Sequence, residues 1–226
     1  MTGSTVPGIL SLAEWRRTVG ELYASVRTDP DPARAWERWC LTRRTLFTSH
    51  PQSPIPEEHR AEYRGPHVFP YDASARVEAT VEPVAVVGAD VATSDGRSTR
   101  MLRIARARFE LHAHPAALDV FWLDQYGGGL YLAFRDATSG ESTYGGGRYL
   151  LDTVKGADLG VNDDLLVLDF NFAYQPSCSY DPLWSCPLPP RENTLGFEIR
   201  AGERSARQDP ARKARPVARG SLPVTC

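Results

Sequence analysis

The spacing of its extended runs limits this chain more than any other feature. From Ala75 onward, segments rich in aliphatic, aromatic and β-branched residues follow one another, separated by Gly, Asp or Pro. They are Ala75–Val87, Arg100–His112, Leu118–Trp122, Gly129–Phe134, Arg148–Leu151, Leu165–Phe172 and Phe197–Arg200. The gaps leave no room for the repeated crossover helices of a doubly wound parallel sheet. The sequence therefore predicts a mainly β fold, an antiparallel sandwich or a partly closed barrel. Asp95-Gly96, Gly140 and Asn162-Asp163-Asp164 mark its turns.

Ahead of the strands the period changes. Leu12, Trp15, Val19, Leu22 and Val26 recur three and four apart, as on a helix that buries one face, and Ser11 with Glu14 reads as a capping box at its start. A second helix is expected from Asp31 to Phe47, with Pro32 in its first turn; Pro30 and Pro32 break the chain between the two. The helices are expected to pack against the sheet. Residues 48–74 read as an irregular connection, anchored by Tyr63, Val68, Phe69 and Tyr71. With 226 residues, 42% of them hydrophobic, one core can hold all of this. The expected organisation is a flexible stretch over 1–10, a single domain over 11–203 and a disordered basic tail over 204–226.

Charge and targeting narrow the partners. The net charge is -2, but the tail carries six Arg or Lys against one Asp, which leaves the body acidic. An acidic body does not attract a phosphate backbone, and a short basic tail without interleaved aromatics is a poor nucleic-acid site, so no nucleic-acid partner is expected. No apolar run approaches the roughly 20 residues that span a bilayer, and no signal core follows the N-terminus. A cytoplasmic protein without a membrane partner is the expectation, with its oligomeric state open. Four cysteines, Cys40, Cys178, Cys186 and Cys226, fit a reducing compartment better than a disulfide scaffold. Cys178 and Cys186, eight apart, read as small buried hydrophobes, with a reversible bridge as the alternative.

Familiar chemical motifs are lacking. Gly127-Gly128-Gly129 and Gly145-Gly146-Gly147 match neither GxGxxG nor a P-loop and read as turns or close backbone approaches. His112 and His114 would share a strand face, but so would Arg106, Arg108 and Glu110, which makes that face a solvated one. No metal and no cofactor are expected.

The polar residues between Asp136 and Asn193 are more informative. Leu166, Leu168, Phe170 and Phe172 would form one apolar row, while Asp169 and Asn171 interrupt the opposite face. A carboxylate buried there needs a cationic or multi-donor partner, and Arg148, beside the second glycine run, is the expected one, with Arg135 as the other candidate.

The strings Tyr126-Gly-Gly-Gly129, Phe134-Arg135-Asp136-Ala-Thr-Ser-Gly140, Thr143-Tyr144-Gly-Gly-Gly-Arg148-Tyr149-Leu150, Leu168-Asp169-Phe170-Asn171, Ala173-Tyr174-Gln175-Pro176-Ser177-Cys178, Cys186-Pro187-Leu188-Pro189-Pro190, Glu192-Asn193 and Ala201-Gly202-Glu203 resemble the DUF1684 family, a group of bacterial proteins of uncharacterised function. Ser53-Pro54 and Phe69-Pro70 extend the resemblance, which runs from about Leu12 to Glu203; Gln175 stands where the family commonly has Asn. The resemblance implies a bacterial source and a recurrent polar set. It brings no reaction with it.

The functional expectation is thus binding or conversion of a small anionic metabolite in a pocket at one end of the β body. Its candidate residues are Asp136, Tyr144, Arg148, Asp169, Asn171, Tyr174, Cys178 and Asn193, with Arg148 gripping the anion and Asp169 orienting it or acting as a base. The alternative is a non-catalytic structural or protein-interaction module whose polar loop network is satisfied internally.

Overall fold

A computed structural model describes residues 6–205 and 224–225 of the chain. Helices α1 (Val6–Thr28), α2 (Pro32–Ser49) and the single turn α3 (Glu57–Arg60) precede strands β1 (His67–Val68), β2 (Arg76–Ala92), β3 (Ser98–Leu111), β4 (His114–Leu123), β5 (Leu130–Phe134), β6 (Arg148–Asp152), β7 (Val161–Asn162), β8 (Leu165–Asp169), β9 (Trp184–Ser185), β10 (Glu203–Arg204) and β11 (Val224–Thr225). Seven of the strands form one antiparallel sheet, ordered β6-β5-β4-β3-β2-β8-β7. The expected class, mainly β with a large antiparallel sheet and two N-terminal helices packed against it, is the one found. β1 pairs with β10, and β11 lies parallel to β9. The rest of the tail expected to be disordered lies outside the described residues.

Helix α2 starts where the sequence predicts it, with the Asp31 side chain accepting hydrogen bonds from the Ala33 and Arg34 amides and Pro32 following in the first turn. Helix α1 does not. It begins at Val6, so Ser11 lies inside it and donates to the Gly8 carbonyl at 2.9 Å instead of capping an end.

Three hairpins organise the sheet. β2 and β3 join through Asp95-Gly96, with Gly96 at φ 81°. β3 and β4 join through His112 and Ala113, at φ 51° and 62°, and β7 and β8 through Asp163 and Asp164, at φ 44° and 68°. Paired left-handed residues match the twist of a two-residue hairpin. They also separate the two histidines expected to share a face: His112 sits in the turn, 3.2 Å from an Asp72 carboxylate oxygen, and His114 opens β4 with its ring stacked on Phe197 at 4.6 Å.

The sheet curls on itself. Tyr149 in β6 and Tyr174, just beyond β8, exchange backbone hydrogen bonds of 2.8 and 3.0 Å, which brings together chain from opposite ends of the strand order. In a flat sheet those positions would be about 24 Å apart, five strand spacings. The inner face packs Ala107, Leu118, Leu132, Phe134, Leu168 and Phe170 into one core. The outer face forms a second core with the helices, in which Trp39, Tyr131, Tyr149 and Phe172 meet Leu22 and Tyr23. The row predicted to end in Phe172 is divided between the two, because the strand stops at Asp169 and Phe170–Phe172 form a 3-10 turn.

Phe197–Arg200, expected as a strand, is not one. Its polar groups find other partners: the Ile199 amide donates to Asp136 at 2.6 Å, and its carbonyl accepts from Arg148 at 2.9 Å.

Candidate functional site

Arg148 stands at the start of β6, where register pairs it with Phe134. That register brings Asp136, two residues past Phe134, beside it. Arg148 Nη2 lies 3.3 Å from Asp136 Oδ2, and the expected partner Asp169 plays no part. The remaining fork meets backbone: Nη1 donates to the carbonyls of Ala201 and Glu203, and Nη2 to Ile199. One guanidinium thus meets three carbonyls that a neighbouring strand would otherwise have to satisfy. The side chain is 1% exposed and lies over the Phe134 ring. Burial lowers its affinity for the proton, and Asp136 partly offsets that. Asp136 also accepts from the hydroxyls of Thr138 and Ser139.

Asp169 closes β8 and caps the turn after it, its Oδ1 accepting from the Asn171 amide at 3.0 Å and from Asn171 Nδ2 at 2.8 Å. Its Oδ2 meets no hydrogen-bond donor, and Arg76 is 4.0 Å away. Burial raises this carboxyl above the ordinary range, against the pull of the Asn171 bonds and Arg76. Asn171 bonds both backbone groups of Asp72.

Tyr174 belongs to a different centre, which the candidate set did not contain. The Arg43 guanidinium lies about 5 Å from each of the rings of Trp39, Phe47 and Tyr174 and donates from Nε to Glu203 Oε1 at 2.6 Å. The other Glu203 oxygen accepts from the Gln175 amide at 2.7 Å and from the Tyr180 hydroxyl at 3.2 Å. Burial alone would lower Arg43; the Glu203 carboxylate outweighs it and holds the guanidinium above its usual value. Glu203 thus joins both buried arginines, its carbonyl bonded to Arg148 and its carboxylate to Arg43. The sequence signal was present in α2, where Trp39, Arg43 and Phe47 recur every four residues on one buried face.

Tyr144 and Cys178 meet at 3.7 Å between Oη and Sγ, and burial raises the Tyr144 hydroxyl. Cys178 keeps a free thiol, so it does not bridge to Cys186, whose sulfur accepts from the Cys178 amide at 3.3 Å.

Asn193 lies elsewhere again. Its carboxamide accepts from the Asp119 amide at 2.7 Å and donates to the carbonyls of Asp119 and Ala133, each at 2.9 Å, pinning the Leu188–Leu195 segment to β4 and β5. Residues 188–192 of the segment so pinned form one wall of a groove of about 610 Å³, while Asn193 itself does not line it. On its floor Asp119, 2% exposed, holds two arginines from β3: Arg106 Nε donates to Oδ1 at 2.7 Å, and Arg103 Nε lies 2.7 Å from Oδ2. Arg135 enters from the wall, anchored by bonds to the Gly145 and Pro189 carbonyls at 3.3 and 2.7 Å. Arg191 and Glu192 are on the rim, with Phe121 and Pro190 as apolar surface. Among the described residues no carboxylate pairs with Arg135, and the terminal nitrogens of Arg106 meet no acceptor. Sequence parity had placed Arg106 on a solvated face. The missed signal was Asp119, an acid inside the run Leu118-Asp119-Val120-Phe121.

A smaller cavity of about 150 Å³ opens beside Gly128, lined by Tyr131 and Tyr149 and by the Asp152–Lys155 ion pair, 2.9 Å apart. Both glycine runs act through backbone, as expected: Gly127 and Gly128 turn with positive φ, and Gly147, at φ 90°, passes against the Phe134 carbonyl. No group of three or more His, Cys, Asp or Glu among the described residues could hold a metal ion, and no helix among them is long and apolar enough to cross a membrane.

These features define a curled antiparallel sheet clasped by two helices and pinned by internal arginines, with a groove on its outer face. Residues 61–204 match the family described as a protein of unknown function, DUF1684, and the chain belongs to that family. It is similar to an uncharacterized protein of Haloarcula marismortui, solved by solution NMR, at 38% identity and a TM-score of 0.55 over 76% of this chain and 95% of that one. That relative is archaeal and gives no support to a bacterial source. No curated protein matches the chain.

Proposed function

We propose that this protein binds a small anionic metabolite, and that it does so in the arginine-lined groove and not at the buried Arg148 centre. The observation that carries this reading is Arg106, held through Nε on Asp119 with its other nitrogens open to a volume of about 610 Å³. Fixed guanidinium forks lose little freedom on meeting an oxyanion. The lining sums to one positive charge, with Arg103, Arg106, Arg135 and Arg191 against Asp90, Asp119 and Glu192. It holds no His, Ser, Cys or Lys to serve as a nucleophile or its base, which favours binding over conversion. Arg148 lacks this freedom, since both of its terminal nitrogens are bonded to the chain itself.

Amide chemical-shift mapping against a panel of small anions tests the reading. Saturable shifts confined to Arg103, Arg106, Phe121, Arg135 and Arg191 are expected; a panel that leaves these amides unmoved at millimolar concentration removes the proposal. One observation favours the second reading, a structural or interaction module. The buried charges of Arg43, Arg148 and Glu203 are paired with one another or with internal groups of the chain, as in a scaffold, and that reading gains if the groove stays empty.

A further inference from the structure

We infer that the anion taken by this groove carries a tetrahedral oxyanion of the phosphate monoester type, attached to an apolar or planar body. This rests on the anion-binding reading above and narrows it to one ligand class. Three features carry it.

The first is the number of arms that converge. Arg103 and Arg106 share one carboxylate, Asp119, so their guanidinium groups are neighbours on the same floor. A planar carboxylate presents its two oxygens in one plane, where a single two-nitrogen fork can meet both. The two terminal nitrogens of Arg106, with Nη1 of Arg103 beside them and Nη2 of Arg135 on the wall, offer donors from several directions, which suits a group with three terminal oxygens.

The second is the charge held in place. Arg103, Arg106 and Arg135 are each fixed by bonds to protein, and Asp119 is the one fixed carboxylate among them, which leaves two positive charges. A phosphate monoester carries about that charge with opposite sign near neutral pH. The groove's other charges, Asp90, Arg191 and Glu192, are all on exposed residues, and Glu82, which also acts on Arg106, is paired at 2.6 Å with Arg108.

The third is the rest of the lining. Leu188, Pro189 and Pro190 form an apolar bank beside the arginines, so the groove is larger and less polar than a free inorganic ion requires. An organic body on the ester oxygen would lie against that bank.

Calorimetric titration with inorganic phosphate, phenyl phosphate, benzoate and succinate, at one pH and one ionic strength, tests the inference. Phenyl phosphate is expected to bind tightest, inorganic phosphate more weakly, and benzoate and succinate at least about tenfold more weakly than phenyl phosphate. Arg106→Gln should abolish the phenyl phosphate signal while the protein still unfolds cooperatively on heating, since Arg103 remains paired with the buried Asp119. Benzoate or succinate binding as tightly as phenyl phosphate would overturn the phosphoryl assignment and leave the anion site standing. Absence of binding by all four would overturn both. Phenyl phosphate affinity that survives Arg106→Gln would place its site elsewhere and likewise overturn the inference.

Discussion

Arg43 and Glu203, separated by 160 positions in the chain, meet at 2.6 Å inside the protein, and that contact joins the helical layer to β10. Neither side chain is more than 10% exposed. Leaving one member of such a pair without the other should cost about 3–5 kcal/mol. Arg43→Met should therefore lower the unfolding free energy by that amount in urea titration. Adding Glu203→Gln to it should recover part of the loss, because the orphaned charge is gone. Two losses that simply add would show that the pair is not coupled.

Gly202 lies between Ala201 and Glu203, two of the three residues whose carbonyls Arg148 holds. It has φ 76°, and a Cβ there would come within 2.5 Å of the Ala173 carbonyl and 2.6 Å of the Phe170 carbonyl. Gly202→Ala combines a left-handed backbone with a clash against main chain, and a loss above about 2 kcal/mol is expected. A variant that melts with the parent protein would mean that this segment shifts freely.

Asp169 gives a prediction with a definite sign. Burial raises its folded-state pKa above the roughly 3.9 of an unfolded chain. The folded protein then binds the proton more tightly than the unfolded one, so the ionised carboxylate subtracts stability above the folded pKa, and that penalty disappears as pH falls below both values. Asp169→Asn keeps an oxygen for the two bonds from Asn171. It should be at least as stable as the parent at pH 7, with its advantage vanishing below about pH 4. Denaturant titrations at the two pH values check this; a clear loss at pH 7 would show that the Arg76 charge outweighs burial.

Asp119 separates positioning from simple electrostatics. Removing a negative charge beside an anion site should tighten binding if charge alone matters. If Asp119 works by holding the Arg103 and Arg106 forks in place, Asp119→Asn should instead weaken phenyl phosphate binding, by about tenfold. The same titration on parent and variant decides, and tighter binding would refute the positioning role.

Strands and turns were legible in the sequence because alternation and turn chemistry are local. The antiparallel order followed from gap lengths, and Asp95-Gly96 marked the long hairpin correctly. β2 runs on to Ala92, five residues past its expected end, because a bulge between Pro83 and Val87 shifts the alternation there. Phe197–Arg200 misled for another reason: both polar groups of Ile199 are met by side chains, Asp136 and Arg148, which no periodicity reports. At the candidate site, the expected pairing of Asp169 with Arg148 rested on apolar patterning. The hairpin register, Phe134 opposite Arg148, was the better guide. The groove escaped notice because its arginines occupy an outward face, where charge is ordinary, and only the buried acid beneath them is unusual.

The way Arg148 holds residues 199–203 also bears on the order in which the chain folds. A strand added to a sheet can zip along its neighbour one bond at a time, each step closing only a small additional loop. Here the acceptors belong to residues 51 to 55 positions away from the donor and are gathered by a single side chain. That side chain is positioned only after β5 and β6 have paired and the Asp136 loop has closed. The three bonds from Arg148 to that segment are therefore expected to form together, after those pairings. By the same reasoning it is the segment that leaves first and as a unit, and its amides should exchange with solvent together, ahead of those in β3 and β4.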